Sequence, residues 1–243
     1  MILISHIGIR EQTVAELVVI VPSRGRPRSI AALAQDFAAT AGPEARMVVA
    51  VDNDDPELAA YQRLPLWDMP QFHLREGGRL RLGGTLNEVA AEYVGFYDVI
   101  GFMGDDHRPR TDGWALEVLT EMKWPGAGIV YGNDLLQRDQ LPTAVFMRPA
   151  IIKALGWMAL PGLVHLYIDN VWLELGRATG QLRYLPNVVI EHMHPAAGKA
   201  QRDAGYDEVN APALDAADKV VFERWRTEQL AADVERLRAA GIC

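Results

Sequence analysis

The chain has 243 residues, 49% of them hydrophobic and 23% charged, which suits one large soluble domain and excludes a disordered segment or a fibre. A net charge of −8 argues against binding nucleic acid by bulk electrostatics. No apolar run reaches the roughly 18 residues that span a bilayer, and the apolar start at 1–9 lacks the basic leading region of a signal peptide. Because the one cysteine, Cys243, cannot form an intrachain disulfide, a reducing, cytoplasmic location is expected.

The first half alternates β-branched or apolar runs with helical periodicity, which is typical of α/β proteins. Strands are predicted at 17–21, 47–51, 71–74 and 98–103, and helices from about residue 29, at 57–63 and at 85–95. Ser29 and Thr85 are the expected N-caps of two of these helices. Two glycine pairs, Gly77-Gly78 and Gly83-Gly84, predict loops before the last one.

The second half is less regular. Helices are predicted at 113–122, 149–155, 167–179 and 214–240, and strands at 128–131, 144–147 and 184–194. Segment 196–212 lacks apolar periodicity and is predicted to be a mobile loop. The charged helix that follows has Val221, Trp225, Val234 and Leu237 as its expected packing residues, and it is a candidate surface for homo-oligomerisation.

Three predicted strands end in polar clusters, namely Ser23-Arg24, Asp52-Asn53 and Asp105-Asp106-His107. In mainly parallel sheets ligands bind beyond the carboxyl ends of the strands, so these clusters should meet at one site. Two carboxylates and an imidazole can hold a divalent cation, which would neutralise a diphosphate. The alternative is a solvated turn whose acids cap backbone amides.

The succession of these motifs resembles that of the GT-A glycosyltransferases, in particular inverting, family-2-like enzymes, including versions encoded by bacteriophages of actinobacteria. The resemblance extends from about 18 to 194 and implies a Rossmann-like, mixed but mainly parallel sheet flanked by helices, followed by a C-terminal helix. It implies that Pro22, Ser23 and Arg24 contact the donor nucleotide, that Asp52 contacts the base, and that the motif formed by Asp105 and the residues after it contacts the ribose and the metal, with Asp105 on the donor.

The expected domain covers 1–195, with a nucleotide-binding half at about 17–110 and an acceptor half at about 111–195. A lid loop at 196–212 and a helix at 213–243 complete the chain. On the lid, Lys199 and Arg202 are either solvated surface residues or cations that close over the donor diphosphate. The glycine-rich loop that leads to Asn87 is either a surface turn or a donor-binding loop with Arg79 or Arg81 facing phosphate.

The expected metal ligands include late histidines. The metal motif has His107 where an aspartate is usual, so its ligand is Asp106, His107 or both. His192 and His194 alternate along a predicted strand and share one face. The resemblance implies that one of them binds the metal, and His194 is preferred because it lies at the strand end.

Asp169 begins the predicted helix 167–179, where its ordinary role would be an N-terminal cap. The resemblance places a catalytic base here, and an inverting transfer needs one carboxylate to deprotonate the acceptor hydroxyl. Asp169 is therefore the expected base. Asp134 is its competitor on the acceptor side, although a turn role is expected there, and Trp157 beside Gly156 is the expected acceptor platform.

The sequence thus predicts a glycosyltransferase that transfers a sugar from a nucleoside-diphosphate donor to a hydroxyl, with inversion and with Mn²⁺ or Mg²⁺ as cofactor. Two alternatives stay open: a nucleotidyltransferase acting on a sugar phosphate, and a non-catalytic module that binds nucleotide sugars or carbohydrate. The acceptor is open between modified DNA, a virion protein and a glycan, and a phage origin would place the enzyme in the host cytoplasm.

Overall fold

The computed structural model describes residues 16–243. The apolar start of the chain, and with it the first part of the expected domain, lies outside the described residues. Among the helices of 16–243, none combines the length and the apolar character needed to cross a bilayer.

Within the described residues, eight strands form one sheet. These strands are β1 Leu17–Ser23, β2 Ala45–Asp52, β3 Phe72–Gly77, β4 Val99–Phe102, β5 His107–Pro109, β6 Ile129–Asn133, β7 Val145–Met147 and β8 Leu182–His192. Their order across the sheet is β3-β2-β1-β4-β7-β6-β8-β5. Only β7 and β5 run antiparallel to their neighbours, so the predicted mixed, mainly parallel α/β sheet is confirmed.

Helices cover both faces of this sheet. They are α1 Pro27–Thr40, α2 Leu58–Gln62, α3 Arg81–Tyr93, α4 Trp114–Glu121, α5 Pro149–Leu155, α6 Ile168–Thr179, α7 Ala204–Val209, α8 Pro212–Arg224 and α9 Leu230–Ala239. Alternate residues of β1 enter two apolar layers, one with Phe37 and Trp114 and the other with Leu86 and Trp172. Burial on both faces explains why this strand is a continuous hydrophobic run.

Two helices begin earlier than predicted. Pro27 occupies the first turn of α1, where its missing N–H is not needed, so Ser29 lies inside the helix and is not its N-cap. Helix α3 begins at Arg81, and Thr85 is an interior, buried residue. Position 83 of this helix requires a glycine, because a β-carbon there would come within 2.4 Å of the carbonyl oxygen of Leu163. This glycine serves close packing and not loop flexibility.

The last part of the chain also differs from the prediction. The segment expected to be a loop contains α7, which Asp203 caps by accepting the backbone N–H of Tyr206 at 2.7 Å. The expected long helix is interrupted between α8 and α9 by a π-helical turn at Trp225–Gln229. Of its predicted packing residues, Trp225, Val234 and Leu237 are buried and Val221 is partly buried, and α9 packs against α5 and α6.

Asp218 on α8 fixes the loop that precedes α6. Its buried carboxylate accepts the consecutive backbone N–H groups of Val164, His165 and Leu166 at 2.8–3.0 Å. Charge-assisted bonds of this kind are stronger than neutral ones, and the amides would otherwise be left without a partner. The C-terminal helices therefore position the start of α6, which carries Asp169.

We expect Asp218→Ala to lower the free energy of unfolding by about 2–4 kcal/mol, because three backbone donors lose their acceptor. The matched control is Asp215→Ala on the same helix, where an exposed carboxylate accepts one hydrogen bond from Tyr167. That change should cost below about 1 kcal/mol. Urea unfolding followed by circular dichroism measures both, and equal losses would contradict the role of Asp218.

Candidate functional site

A cleft of about 600 Å³ opens at the carboxyl ends of β1, β2 and β4. A volume of this size accommodates a nucleotide-sized ligand. Eleven residues selected from the sequence line it: Pro22, Ser23, Arg24, Asp52, Arg79, Asp105, Asp106, His107, Asp169, His192 and His194. The expected convergence of strand-end clusters is therefore present in the fold.

The acidic motif meets the late strand through antiparallel pairing. His107 begins β5 and lies opposite His192, the last residue of β8. Their imidazole rings stack with centroids 4.4 Å apart, and Asp106 Oδ2 lies 3.3 Å from His192 Nε2. Asp106, His107 and His192 can each offer one ligand atom within 4.8 Å of the others. The preferred candidate, His194, lies beyond the strand end and outside this group, with its ring 4.9 Å from that of His192.

The donor set fits a divalent cation. Neighbouring ligands on an octahedral ion with bonds of about 2.1 Å are roughly 3 Å apart, close to the separation of Asp106 Oδ2 and His192 Nε2. Buried Nδ1 of His192 has no hydrogen-bond partner among the described residues, and Asp134 Oδ2 lies 3.9 Å from it. A carboxylate behind an imidazole is the usual support of a metal-binding histidine.

His107 is less suited to be a ligand than its neighbours. Its Nδ1 accepts the backbone N–H of Gly104 at 2.9 Å, so that lone pair is already engaged. Burial lowers the pKa of His107 to about 3, so the ring is neutral at pH 7 with its proton on Nε2, which lies 3.5 Å from Thr143 Oγ1. Asp106 and His192 are therefore better placed than His107 to hold an ion, and the His107 ring stacks on that of His192.

Asp105 belongs to a buried hydrogen-bond chain. Ser23 Oγ donates to its carboxylate at 2.7 Å and lies 2.7 Å from the hydroxyl oxygen of Tyr61, which in turn accepts the backbone N–H of Arg26. Burial, and after it the adjacent Asp106, raises the pKa of Asp105 to about 6, although Arg26 Nη1 lies 3.3 Å away. The chain fixes Asp105 at the cleft wall, where it can accept hydroxyl donors.

Arg24 bridges two acids at the mouth of the cleft. Its Nη1 lies 2.8 Å from Asp52 Oδ2 and 2.6 Å from Asp54 Oδ1. Burial raises the pKa of Asp52, opposed by the hydrogen bond from Arg24. The end of β2 thus presents a carboxylate whose orientation the first loop controls.

Asp169 lies in the first turn of α6 and lines the same cleft. Its Oδ1 accepts the backbone N–H of Asn170 at 2.9 Å, and no ion pair to it is found among the described residues. Burial raises the pKa of Asp169 to about 6. At pH 7 it is an ionised carboxylate that readily takes a proton, which is what a general base requires.

Four predicted site residues lie outside the lining of the cleft. The Asn87 side chain is bonded to the backbone of Met158 and Ala159, and Asp134 accepts three backbone N–H groups of its own turn. Trp157 is buried, and Lys199 pairs with Glu191 at 2.8 Å. The first two act locally as braces of backbone segments.

Some residues of the site carried no signal in the sequence. Tyr61, whose hydroxyl lies 2.7 Å from Ser23 Oγ but outside the lining, is a single aromatic on a five-residue helix, and Glu208 is one of several acids in a polar segment. His165 also lines the cleft, and burial lowers its pKa to about 4, so its imidazole is neutral. Only contacts between distant segments bring these side chains to the site.

Solved structures of other proteins share this architecture. The chain is similar to a mannosyltransferase from Pyrobaculum calidifontis in complex with GDP-Man and Mn²⁺, with a TM-score of 0.59 and 12% identity over 93% of this chain and 73% of that one. This chain has the GT-A fold. S. aureus TarS 1-349 gives a TM-score of 0.56 at 12% identity over 93% of this chain and 78% of that one.

The complex of TarS 1-349 with UDP-GlcNAc has a TM-score of 0.54 at 14% identity, over 92% of this chain and 73% of that one. No protein-family model matches the sequence, and no curated protein matches it. At this identity the likeness shows the fold alone. The narrower resemblance to family-2-like and phage-encoded members of the GT-A group stays a prediction.

We expect Asp169→Asn to stabilise the protein above pH 6 by an amount on the order of 2 kcal/mol. Because the folded-state pKa of about 6 exceeds that of an unfolded aspartate, about 4, wild type loses stability as the pH rises from about 4 to about 6. The amide does not titrate, so the gain should vanish near pH 4.

Thermal and urea unfolding at pH 4, 5, 6 and 7.5, in EDTA, measures the gain. A difference between the two proteins that stays constant with pH would contradict the raised pKa of Asp169.

Proposed function

We propose that the protein is a glycosyltransferase that transfers a sugar from a nucleoside-diphosphate donor to an acceptor hydroxyl. The observation that carries the proposal is that Asp169, an ionisable carboxylate without an ion-pair partner among the described residues, shares one cleft with Asp106 and His192. The GT-A fold supports it, because the compared mannosyltransferase and TarS structures contain GDP-Man and UDP-GlcNAc. The acceptor, whether modified DNA, a virion protein or a glycan, stays a prediction.

The donor nucleotide is proposed to lie along the ends of β1 and β2. Asp52, oriented by Arg24, offers a carboxylate to N–H groups of the base. Asp105, fixed by Ser23, offers a carboxylate to ribose hydroxyls. Arg79 lines the same cleft and offers a guanidinium to the diphosphate.

A divalent cation, Mn²⁺ or Mg²⁺, would be held by Asp106 and His192, and it would neutralise the charge that develops on the departing diphosphate. His107 would keep the His192 ring in place by stacking. Asp134 would orient the same ring from its Nδ1 side. The two imidazole rings are already stacked in the chain, and Asp134 Oδ2 lies 3.9 Å from the ring nitrogen that it would orient.

Asp169 is proposed to accept the proton of the acceptor hydroxyl as its oxygen attacks the anomeric carbon. The bond from that carbon to the diphosphate oxygen breaks on the opposite side, and the configuration inverts. The bonding electrons leave with the nucleoside diphosphate, and the guanidinium of Arg79 stabilises the negative charge on its phosphate. A carboxylate with a pKa of about 6 is ionised at pH 7 and basic enough for this step.

We expect Asp169→Asn to reduce sugar transfer by about 10²–10⁴-fold while donor affinity changes little, because the amide keeps the shape but cannot take a proton. Release of UDP or GDP from UDP-GlcNAc and GDP-mannose, with a panel of acceptors, gives turnover, and calorimetry gives donor affinity. The exposed Asp112→Asn is the matched control. Unchanged turnover in Asp169→Asn would remove it from the role of base.

The same assay separates the alternatives. Pyrophosphate formed from a sugar phosphate and a nucleoside triphosphate would indicate a nucleotidyltransferase. Donor binding without turnover, with either metal and across the acceptor panel, would favour a binding module.

We expect His192→Ala to weaken Mn²⁺ binding by more than about tenfold, since an imidazole ligand is lost. Titration calorimetry of the metal-free protein with MnCl₂ measures this without reference to activity. His73→Ala, which removes an exposed histidine from β3, is the control and should bind Mn²⁺ as wild type does. Equal affinity of His192→Ala and wild type would overturn the assignment.

A further inference from the structure

Arg79 and Arg81 converge on one carboxylate of α7. Glu208 Oε1 lies 2.9 Å from Arg79 Nη2 and 2.5 Å from Arg81 Nη1, and all three side chains line the cleft. The hydrogen bond from Arg81 holds the pKa of Glu208 below its usual range, so the carboxylate is ionised. One anionic oxygen thus occupies the point at which two guanidinium groups meet.

The position is built to receive an anion. Arg81 is the first residue of α3, a helix of 13 residues, and its backbone has a φ of +62°. A non-glycine residue in this left-handed region is strained, and such strain is typical of functional sites. The amino end of the helix adds partial positive charge beside the two arginines. The seated carboxylate of Glu208 is the direct evidence that an anion fits there.

Polar contacts hold α7 in the cleft. Asp203, at its start, pairs with Arg26 through bonds of 2.7 and 2.8 Å, and the Tyr206 ring lies 5.3 Å from that of His194. Glu208 provides the third contact, and its side chain is 46% exposed. Exposed ion pairs contribute little to stability, so α7 can exchange these partners for a stronger anion.

From these contacts we infer that Glu208 is an internal substitute for a donor phosphate, which a nucleoside diphosphate must displace from Arg79 and Arg81. The inference rests on the proposed function and adds that Glu208 and the donor diphosphate compete for the same two arginines. A diphosphate has more negative charge and more acceptor oxygens than one carboxylate, so it satisfies both guanidinium groups better. In the free protein both arginines then pair with this one carboxylate, and donor binding releases Glu208, and with it α7, from them.

The competition predicts that a mutation in the binding cleft raises the affinity for the diphosphate. Glu208→Gln keeps the size of the side chain but removes the competing charge, so UDP and GDP should bind roughly fivefold more tightly than to wild type, as should inorganic pyrophosphate. A carboxylate that only positioned the arginines for the donor would give weaker binding in the same variant.

Titration calorimetry with UDP, GDP and pyrophosphate measures this effect at low salt. Asp207→Asn is the matched control, because it removes the same charge from the preceding residue. Asp207 lies outside the cleft lining and pairs with Arg202. Tighter binding to Glu208→Gln, with Asp207→Asn like wild type, supports the inference. Affinity of Glu208→Gln that is unchanged, weaker, or equal to that of a tightened Asp207→Asn overturns it.

Hydrogen exchange provides a second measurement. The amides of α7 should exchange faster in free Glu208→Gln than in free wild type, and faster in wild type when UDP or GDP is bound. Unchanged exchange in both comparisons would also overturn the inference. If no variant binds a nucleoside diphosphate, the proposed function fails, whereas equal binding by all three proteins removes only the role of Glu208.

Discussion

Across one edge of the sheet, β5 and β8 run antiparallel in a register that places His107 opposite His192. Directly paired residues have β-carbons about 5 Å apart, which allows the two imidazoles to stack, and Asp106 lies within 3.3 Å of His192. A shift of one residue in this register would turn His192 to the other face of the sheet and separate it from Asp106 and His107. The proposed cation site, and with it the placement of a diphosphate, depends on this short pairing.

The acids of the cleft differ in electrostatic environment. Burial raises the pKa of Asp105 and of Asp169 to about 6. Burial also disfavours the charge on Asp106, yet the hydrogen bond from His192 keeps its pKa below the usual range. Carboxylates whose pKa values are moved apart can take different roles in one reaction. Here the ionised Asp106 suits a cation, and the more basic Asp169 suits proton transfer.

Polar residues that resemble catalytic groups also serve as braces. Asn87 joins α3 to the backbone at Met158 and Ala159, and Asp218 joins α8 to the loop before α6. Both are satisfied by backbone groups, which must be paired when buried. Their number of bonds, and not their residue type, distinguishes them from Asp169, whose carboxylate lines the cleft.

The sequence by itself determined the first four strands and the helices between them, the apolar face of α1, the end of α6 at Gly180, and the placing of Asp52 at the end of one strand and Asp105 just after another, because each follows from local periodicity or a local cap. Tertiary structure alone decided that His192, and not His194, lies in the group with Asp106 and His107, and that Glu208 pairs with two arginines. These arrangements depend on strand register and on contacts between segments up to 129 residues apart. These arrangements are stabilised by contacts with distant residues, and the hydrophobic periodicity along the chain does not indicate which residues will meet.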